Sequence, residues 1–298
     1  MNISSYTHTW YGALLFVIVT GHLTIMCTSL YLHRMLSHRS VTFHPAVSLA
    51  MRLWLWIFTA IGTKEWVSVH RKHHAFVETE DDPHSPVIHG WAQILFLGLY
   101  YYRKAYSDPA TIEKYSKGCP DDAIERKIFT PMRSAGLFLL LAFDLAIFGF
   151  GYGSAVWIGQ ILWVPFWAAG IVNGIGHTLG YRNYSVEDAS RNIIPTGLLL
   201  SGEELHNNHH KFPSSAKFSK RWFEIDMGWG YIQLLRVFGL AKVNLVQHAV
   251  PNFKQAALSA KEAAIEKVHE ATIAAKDAAA QAKSAVKVMT KGPVGSEI

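Results

Sequence analysis

Cysteine is nearly absent from this sequence, and its scarcity argues against two classes of protein. Only two of the 298 residues are cysteine. Cys27 lies in an apolar run and Cys119 in a polar one, so a disulfide-framed secreted fold is not expected. Neither cysteine belongs to the histidine-rich segments described below, which argues against an iron–sulfur site.

Charged residues are also scarce, at 17%, whereas hydrophobic residues make up 50% of the chain. The mean hydropathy of +0.13 and several apolar runs near twenty residues indicate an integral membrane protein. The formal net charge is +6. Lysine and arginine lie mainly between the apolar runs, which the positive-inside rule explains better than nucleic-acid binding does. We therefore expect a lipid bilayer, and no nucleic acid, among the partners.

The N-terminus lacks the basic region and the A-x-A site of a cleavable signal peptide, so the first apolar run is expected to direct insertion. A bilayer crossing needs about 20 helical residues. Three runs meet that length, and the tight sequence Gly151-Tyr152-Gly153 joins the last two. These predicted spans are residues 10–32, 132–152 and 154–176.

Two shorter apolar segments, about 47–62 and 90–102, predict helices that lie in the membrane interface or re-enter it. Arg52, inside the first of them, is expected to reach water. Residues 177–250 are more polar and predict a cytosolic cap. The predicted fold class is therefore all-α, a multi-pass membrane protein with three spans, interfacial helices and a helical cap.

The composition changes near residue 253. Residues 1–252 are expected to form the membrane domain, and residues 253–298 a separate tail. Alanine, lysine and glutamate dominate residues 255–287 and favour one long amphipathic helix. Its mostly alanine apolar face leaves a solvated appendage or docking on lipid or a partner helix as open alternatives.

Nine of the sixteen histidines lie in groups beside the apolar runs. The spacing i, i+3, i+4 occurs twice and places three imidazoles on one helix face. One such group could be a solvated helix face, but several beside apolar runs indicate metal binding. The nine are His33, His38, His70, His73, His74, His177, His206, His209 and His210.

Nine imidazoles are too many for one tetrahedral zinc ion, and they suit two ions with four or five ligands each. Imidazole binds iron, copper, nickel and zinc, so the ligand type leaves the metal open.

The order of these motifs resembles that of the membrane fatty-acyl desaturases, and most closely that of the stearoyl-CoA type of Δ9 desaturase, in a chain expected to be prokaryotic. The resemblance runs from about His33 to Leu240. It is carried by His33-Arg34…Ser37-His38-Arg39-Ser40, Glu65-Trp66, His70-Arg71…His73-His74, Glu78-Thr79…Asp82-Pro83-His84, Asn173…His177, Gly180-Tyr181-Arg182, and Gly202-Glu203…His206-Asn207…His209-His210…Phe212-Pro213.

The resemblance implies an oxygen-dependent oxidoreductase with two iron ions, held by the nine histidines, that forms a double bond in an acyl chain. Zinc can replace iron in a purified sample. Asn173 matches an asparagine that holds a metal through water in this family. Trp66, Asp82 and Glu203 are expected to orient the ligand imidazoles.

The resemblance also implies an apolar acyl tunnel whose far end is lined by the span before the first histidines. Val17 and Gly21 lie one turn apart there. Arg103 and Lys104 are expected to retain part of a phosphate-binding patch, whereas Ser68-Val69 replace the Arg-Asp pair that helps to hold coenzyme A in the animal enzymes. Acyl-CoA is the first expected substrate, with acyl carrier protein or a phospholipid acyl chain as alternatives.

No haem-binding segment like cytochrome b5 is recognisable, so a ferredoxin, a rubredoxin or cytochrome b5 is expected to supply the electrons. Alternative readings are a related alkyl hydroxylase, a fatty acid decarboxylase that forms terminal alkenes, or a metal transporter. Because the histidines must meet on one side of the membrane, three crossings place the N-terminus opposite them. We expect a bacterial inner-membrane protein with a cytoplasmic catalytic side and C-terminus.

Overall fold

The structure is a computed structural model and describes residues 9–247. The helix predicted at 255–287 lies outside the described residues. Within them the chain is mostly helical, and short strands tie the ends of the cap together. The α-helices are α1 (Trp10–Cys27), α2 (Pro45–Thr59), α3 (Thr63–Phe76), α4 (Pro86–His89), α5 (Trp91–Tyr106), α6 (Pro109–Tyr115), α7 (Ala135–Val164), α8 (His206–Lys211) and α9 (Met227–Val237).

Helix α1 continues without a break into a π-helical stretch, Thr28–Ser37, so that residues 10–37 form one rod. The hydroxyls of Thr20 and Thr24 donate to the carbonyls four residues earlier, which satisfies them within an apolar helix. His22 contacts the carbonyl of Leu199 at 3.0 Å and the hydroxyl of Tyr231 at 2.8 Å. The threonine hydroxyls are thus satisfied within the rod, whereas His22 links the rod to neighbouring elements.

Helix α7 folds back on itself at Gly149, whose φ of +72° lies in the left-handed region that glycine tolerates. The indole nitrogen of Trp157 donates to the carbonyl of Leu137 at 2.9 Å, across 20 residues. A straight helix would separate those residues by about 30 Å. The reversal thus confirms the predicted hairpin, but it begins two residues before Gly151. A Cβ atom on Gly153 would lie 2.6 Å from the carbonyl oxygen of Asp144, so a side chain would not fit there.

Two helical stretches, Trp10–Ser37 and Ala135–His177, are long and apolar enough to cross a membrane. Helices α2 and α3 pass the same test only as a pair, and they are bent by 90°. This bend brings His70 back to His38, where the two Nε2 atoms lie 2.8 Å apart. The pair therefore does not separate these histidines, as expected of a segment that does not cross.

Arg52 does not reach water as the sequence analysis expects. Its side chain is buried against the segment after α6, where it contacts the carboxylates of Asp122 at 2.6 Å and Glu125 at 2.9 Å. Snorkelling is unnecessary because two acidic partners come to the guanidinium instead. These contacts join α2 to the segment that leads into α7.

Four short strands depart from the predicted all-α class. Strand β1 (Val41–Phe43) pairs antiparallel with β4 (Ala241–Val243), and β2 (Thr196–Gly197) pairs parallel with β3 (Ile225–Asp226). With two or three residues each, they are too short to show an alternating pattern in the sequence. An ion pair between two fully buried side chains also joins the rod to the cap, because Nη2 of Arg34 lies 2.9 Å from Oδ1 of Asp226.

Candidate metal centre

The nine predicted histidines converge into two groups at the end of the rod. We call them the five-histidine group (His33, His38, His70, His74 and His209) and the four-histidine group (His73, His177, His206 and His210). Each residue offers a ligand atom within 4.8 Å of those of the others in its group. Metal–nitrogen bonds of about 2.0–2.1 Å put opposite ligands about 4 Å apart, so each group has the size that one ion requires.

The helical spacing explains why each motif serves both groups. The three imidazoles of α3 do not act together as their predicted shared face suggests. His70 and His74 lie one turn apart and enter the five-histidine group, whereas His73, about 100° around the helix from His74, enters the other. Likewise, α8 gives His209 to one group and His206 and His210 to the other.

Carboxylates hold the outer nitrogens of the four-histidine group. The Nδ1 atoms of its members contact carboxylate oxygens at 2.9 to 3.1 Å, and His206 is the exception. The pairs are His73 with Asp82, His177 with Glu78, and His210 with Asp188. A carboxylate on Nδ1 fixes the ring and leaves Nε2 with its lone pair toward a metal.

The inner nitrogens of this group fit a cation. The Nε2 atoms of His73 and His210 are buried and have no hydrogen-bond partner within the described residues. Burial lowers the pKa values of His206 and His210 well below the ordinary value, and the neighbouring imidazoles lower them further. Neutral, desolvated imidazoles with unpaired lone pairs are what a metal ion needs from its ligands.

The five-histidine group is held differently. Glu203 contacts Nδ1 of His33 at 2.8 Å and also accepts a hydrogen bond from Ser29. The ring of Trp66 stacks on that of His70 at 4.9 Å and an interplanar angle of 14°. Trp66, Asp82 and Glu203 thus contact imidazoles of the two groups; that they orient metal ligands stays a prediction.

Three further residues contact the ligands but are not among the predicted site residues. Glu78 and His84 belong to the quoted motifs, and their roles could have been suspected from Asp82 nearby. The ring of His84 stacks on His73 at 4.5 Å, and His73, Asp82 and His84 form a third cluster of possible ligand atoms. Asp188 comes from a polar loop without any motif, so the sequence carries no signal for it.

A cavity adjoins the two groups. His33, His70, His206, Asn173 and Glu203 belong to its lining. Its remaining lining is mostly apolar and comes from the rod, α5, α7 and the π-helical stretch Pro165–Val172, with Ile25, Thr28, Gly98, Leu99, Tyr102, Ile161, Val164, Ala168, Ala169 and Val172 among the residues. This apolar lining suits an aliphatic ligand.

The four predicted substrate residues do not line this cavity. Val17 packs on Gly159, and a Cβ atom on Gly21 would lie 2.4 Å from the indole ring of Trp163. Trp163 packs in turn against a cluster that includes the cavity residues Ile25 and Val164. Any influence of Gly21 on an acyl chain would therefore pass through Trp163.

Arg103 and Lys104 are exposed in the last turn of α5, beside the cavity residue Tyr102. The described lining contains no lysine or arginine. A role for these two cations in substrate binding stays a prediction.

Comparison with known proteins agrees with this geometry. The model of the family "Fatty acid desaturase" matches residues 8–229. An sn-1 stearoyl-lipid 9-desaturase of Anabaena variabilis is 33% identical over 233 residues, which cover 77% of this chain and 81% of that protein. An sn-2 palmitoyl-lipid 9-desaturase of Nostoc sp. (strain 36) is 34% identical, covering 70% of this chain and 73% of the relative. The Delta-9 acyl-lipid desaturase 2 of Arabidopsis thaliana is 31% identical, with coverages of 70% and 67%.

Proposed function

The chain belongs to the fatty acid desaturase family and is an oxidoreductase that acts on fatty acyl chains. We propose that it is an oxygen-dependent di-iron enzyme that forms a cis Δ9 double bond in a long saturated acyl chain. The observation that carries the proposal is the division of nine buried or half-buried imidazoles into two ion-sized groups beside one apolar cavity.

The five-histidine and four-histidine groups would each hold one iron ion, and Asn173 would assist through a water molecule. Bound iron would supply the oxygen chemistry that removes hydrogen from two unactivated methylene carbons. The chain's own residues orient the imidazoles through Glu78, Asp82, Asp188 and Glu203. The apolar walls hold the acyl chain and exclude bulk water. Zinc in a purified sample would be compatible with the same ligands.

For the acyl carrier, we propose a membrane glycerolipid rather than acyl-CoA, which the sequence analysis places first. Two observations support this choice. The relatives named above are lipid desaturases. The described cavity lining offers no cation to a coenzyme A phosphate. Leu99 is the exposed residue of that lining, and it lies on α5 beside the exposed side chains of Phe96 and Tyr100.

The chain is a membrane protein, and we propose three crossings, with the rod as the first and the two arms of the α7 hairpin as the others. The cap then lies on the histidine side, which we assign to the cytoplasm because Arg34, Arg39, Arg71 and Lys72 lie there. The membrane would be the inner membrane of a bacterium. Reduced electron carriers are available on that side.

The proposal is tested by expressing the chain in bacteria without a Δ9 desaturase. Fatty acids are released separately from the lipid and acyl-CoA fractions, and mass spectrometry locates the double bonds. We expect Δ9 monounsaturated chains to appear first in the lipid fraction. Hydroxylated chains or terminal alkenes would contradict desaturation, and early labelling of acyl-CoA would contradict the lipid carrier.

A further inference from the structure

Under the proposed function, the metal groups require a reductant. Desaturation converts –CH2–CH2– and O2, with two electrons and two protons, into –CH=CH– and two molecules of water. Under this proposal a carrier protein supplies the electrons, and it has to reach a surface near the two histidine groups.

A hydrogen-bonded route connects one region of the cap surface to the ligand helix α8. Asn208 lies between the ligands of α8, and its side-chain oxygen accepts a hydrogen bond from Asn183 at 2.8 Å. The side-chain oxygen of Asn183 accepts from the Nε atom of Arg221 at 3.1 Å. Two hydrogen bonds thus separate the half-buried Arg221 from the helix that carries His206, His209 and His210.

A second route reaches the four-histidine group from the same region. The exposed Arg182 donates from Nη2 to the carbonyl of Asp188 at 2.9 Å, and the carboxylate of Asp188 contacts His210. The ring of Tyr181, next in sequence to Arg182, lies 6.3 Å from that of Phe223, so both routes begin on neighbouring residues.

The surface over these routes is basic and aromatic. Residues 181–191 and 211–223 contain six lysines and arginines against the acids Glu187 and Asp188, and Asp188 is held by His210. Trp222 is 95% exposed and stands edge-on to the exposed Phe223. We call Arg182, Lys211, Lys217, Arg221, Trp222 and Phe223 the cap patch.

We propose that the cap patch is the docking surface for a small acidic protein that carries one electron. Complementary charge would steer such a carrier to the surface, and exposed aromatic side chains would give contact area at its centre. An anionic lipid surface is the other occupant with matching charge. The lipid surface is disfavoured because the cap patch is hydrogen-bonded to Asn208, which lies among the histidines of α8. The part of the rod that would lie in the membrane contacts a different part of the cap, where His22 meets the carbonyl of Leu199.

The test uses the full-length, iron-loaded protein in lipid nanodiscs. Reduced [2Fe–2S] ferredoxin and reduced cytochrome b5, both acidic, are mixed with it in turn, and carrier oxidation is followed by stopped flow at rising ionic strength. Lys211→Glu/Lys217→Glu is compared with Lys242→Glu, which changes an exposed lysine on β4. For whichever carrier is oxidised faster, we expect the rate of carrier oxidation to fall as the salt concentration rises. The double variant should lose about tenfold or more of that rate, whereas the rate of the Lys242→Glu control should change little.

Dithionite supplies the internal comparison, because a small reductant needs no docking surface. All variants should accept its electrons equally. Equal carrier rates in the double variant and the control would overturn the proposal, as would failure of both carriers with wild-type protein that dithionite reduces. Loss of binding to vesicles containing phosphatidylglycerol, with unchanged carrier rates, would assign the patch to the membrane instead. Absence of product after dithionite reduction would contradict desaturation itself, independently of docking.

Discussion

The carboxylate of Asp188 contacts Nδ1 of His210 at 3.0 Å, and a loop that no motif marks thereby orients an imidazole of the four-histidine group. Replacing Asp188 with Asn removes the charge but keeps the shape. Loss of such a partner weakens metal binding about 10–100-fold. We therefore expect Asp188→Asn to lose roughly one of its two irons first during a chelator challenge, measured by mass spectrometry of the metal.

Glu187 provides the matched control, because it is the exposed neighbour with the same charge. Glu187→Gln should retain iron as the wild type does. If both variants lose iron at the same rate, the contact between Asp188 and His210 does not hold the ligand.

Removal of a ligand should abolish the reaction without preventing insertion. We expect His206→Ala and His73→Ala to yield no unsaturated product and to retain about one iron instead of about two, by the division into two groups. His89 lies outside both groups and stacks on Tyr101, so His89→Ala should stay active. Full activity of either ligand variant, measured by fatty-acid analysis with equal membrane levels of protein, would remove these histidines from the site.

Chain-length preference should depend on the contact between Gly21 and Trp163. A methyl group at Gly21 would lie too close to the indole ring, so Gly21→Ala should push Trp163 toward the cavity and favour shorter acyl chains. Trp163→Ala should open space and favour longer ones. The product profile of a mixed-chain host, by gas chromatography, reports both shifts.

Gly151→Ala is the control for this pair, because a Cβ atom there meets nothing within 4 Å. Its product profile should match the wild type. Unchanged profiles in active Gly21→Ala and Trp163→Ala variants would show that the acyl chain ends elsewhere.

The buried pair Arg34–Asp226 should dominate the stability of the cap. Both side chains are fully buried, and Arg34 also donates to the carbonyls of Ser201 and Ala216. Asp226→Ala leaves the guanidinium unpaired, so we expect a loss of about 3–5 kcal/mol in unfolding free energy. Thermal unfolding in detergent would show a clearly lowered midpoint. Arg126→Ala breaks an exposed ion pair with Asp121 and should leave the midpoint nearly unchanged.

The proposed three crossings predict opposite accessibility for two exposed positions. In a background where Cys27 and Cys119 are replaced by Ala, Gly151→Cys at the α7 hairpin should react with an impermeant maleimide in intact cells. Ser185→Cys, in the cap loop, should react only after permeabilisation. Reaction of both from the same side would refute this topology.

The sequence was most informative where chemistry and spacing coincide. The ligand spacing on α3 and α8 predicted which residues converge, because a helix fixes their relative directions. Glu78 and Asp82 lie close in sequence to the second histidine motif, so that acids there are expected to orient its imidazoles. Asp188 could not be predicted in this way, because its position depends on how the loop 180–193 folds over α8. The prediction that Arg52 reaches water is wrong for a related reason, because an apolar segment does not reveal which distant acids pack against it.

His33 and His209 approach to 3.0 Å between their Nε2 atoms although 176 residues separate them in the chain. During synthesis, the rod and the α7 hairpin are complete before α8 leaves the ribosome. Neither histidine group can then be assembled, because each contains a residue of α8. Under the proposed function, a nascent chain that stalls before residue 206 could complete neither group of ligands. Iron loading would then wait until the last histidine motif has been made.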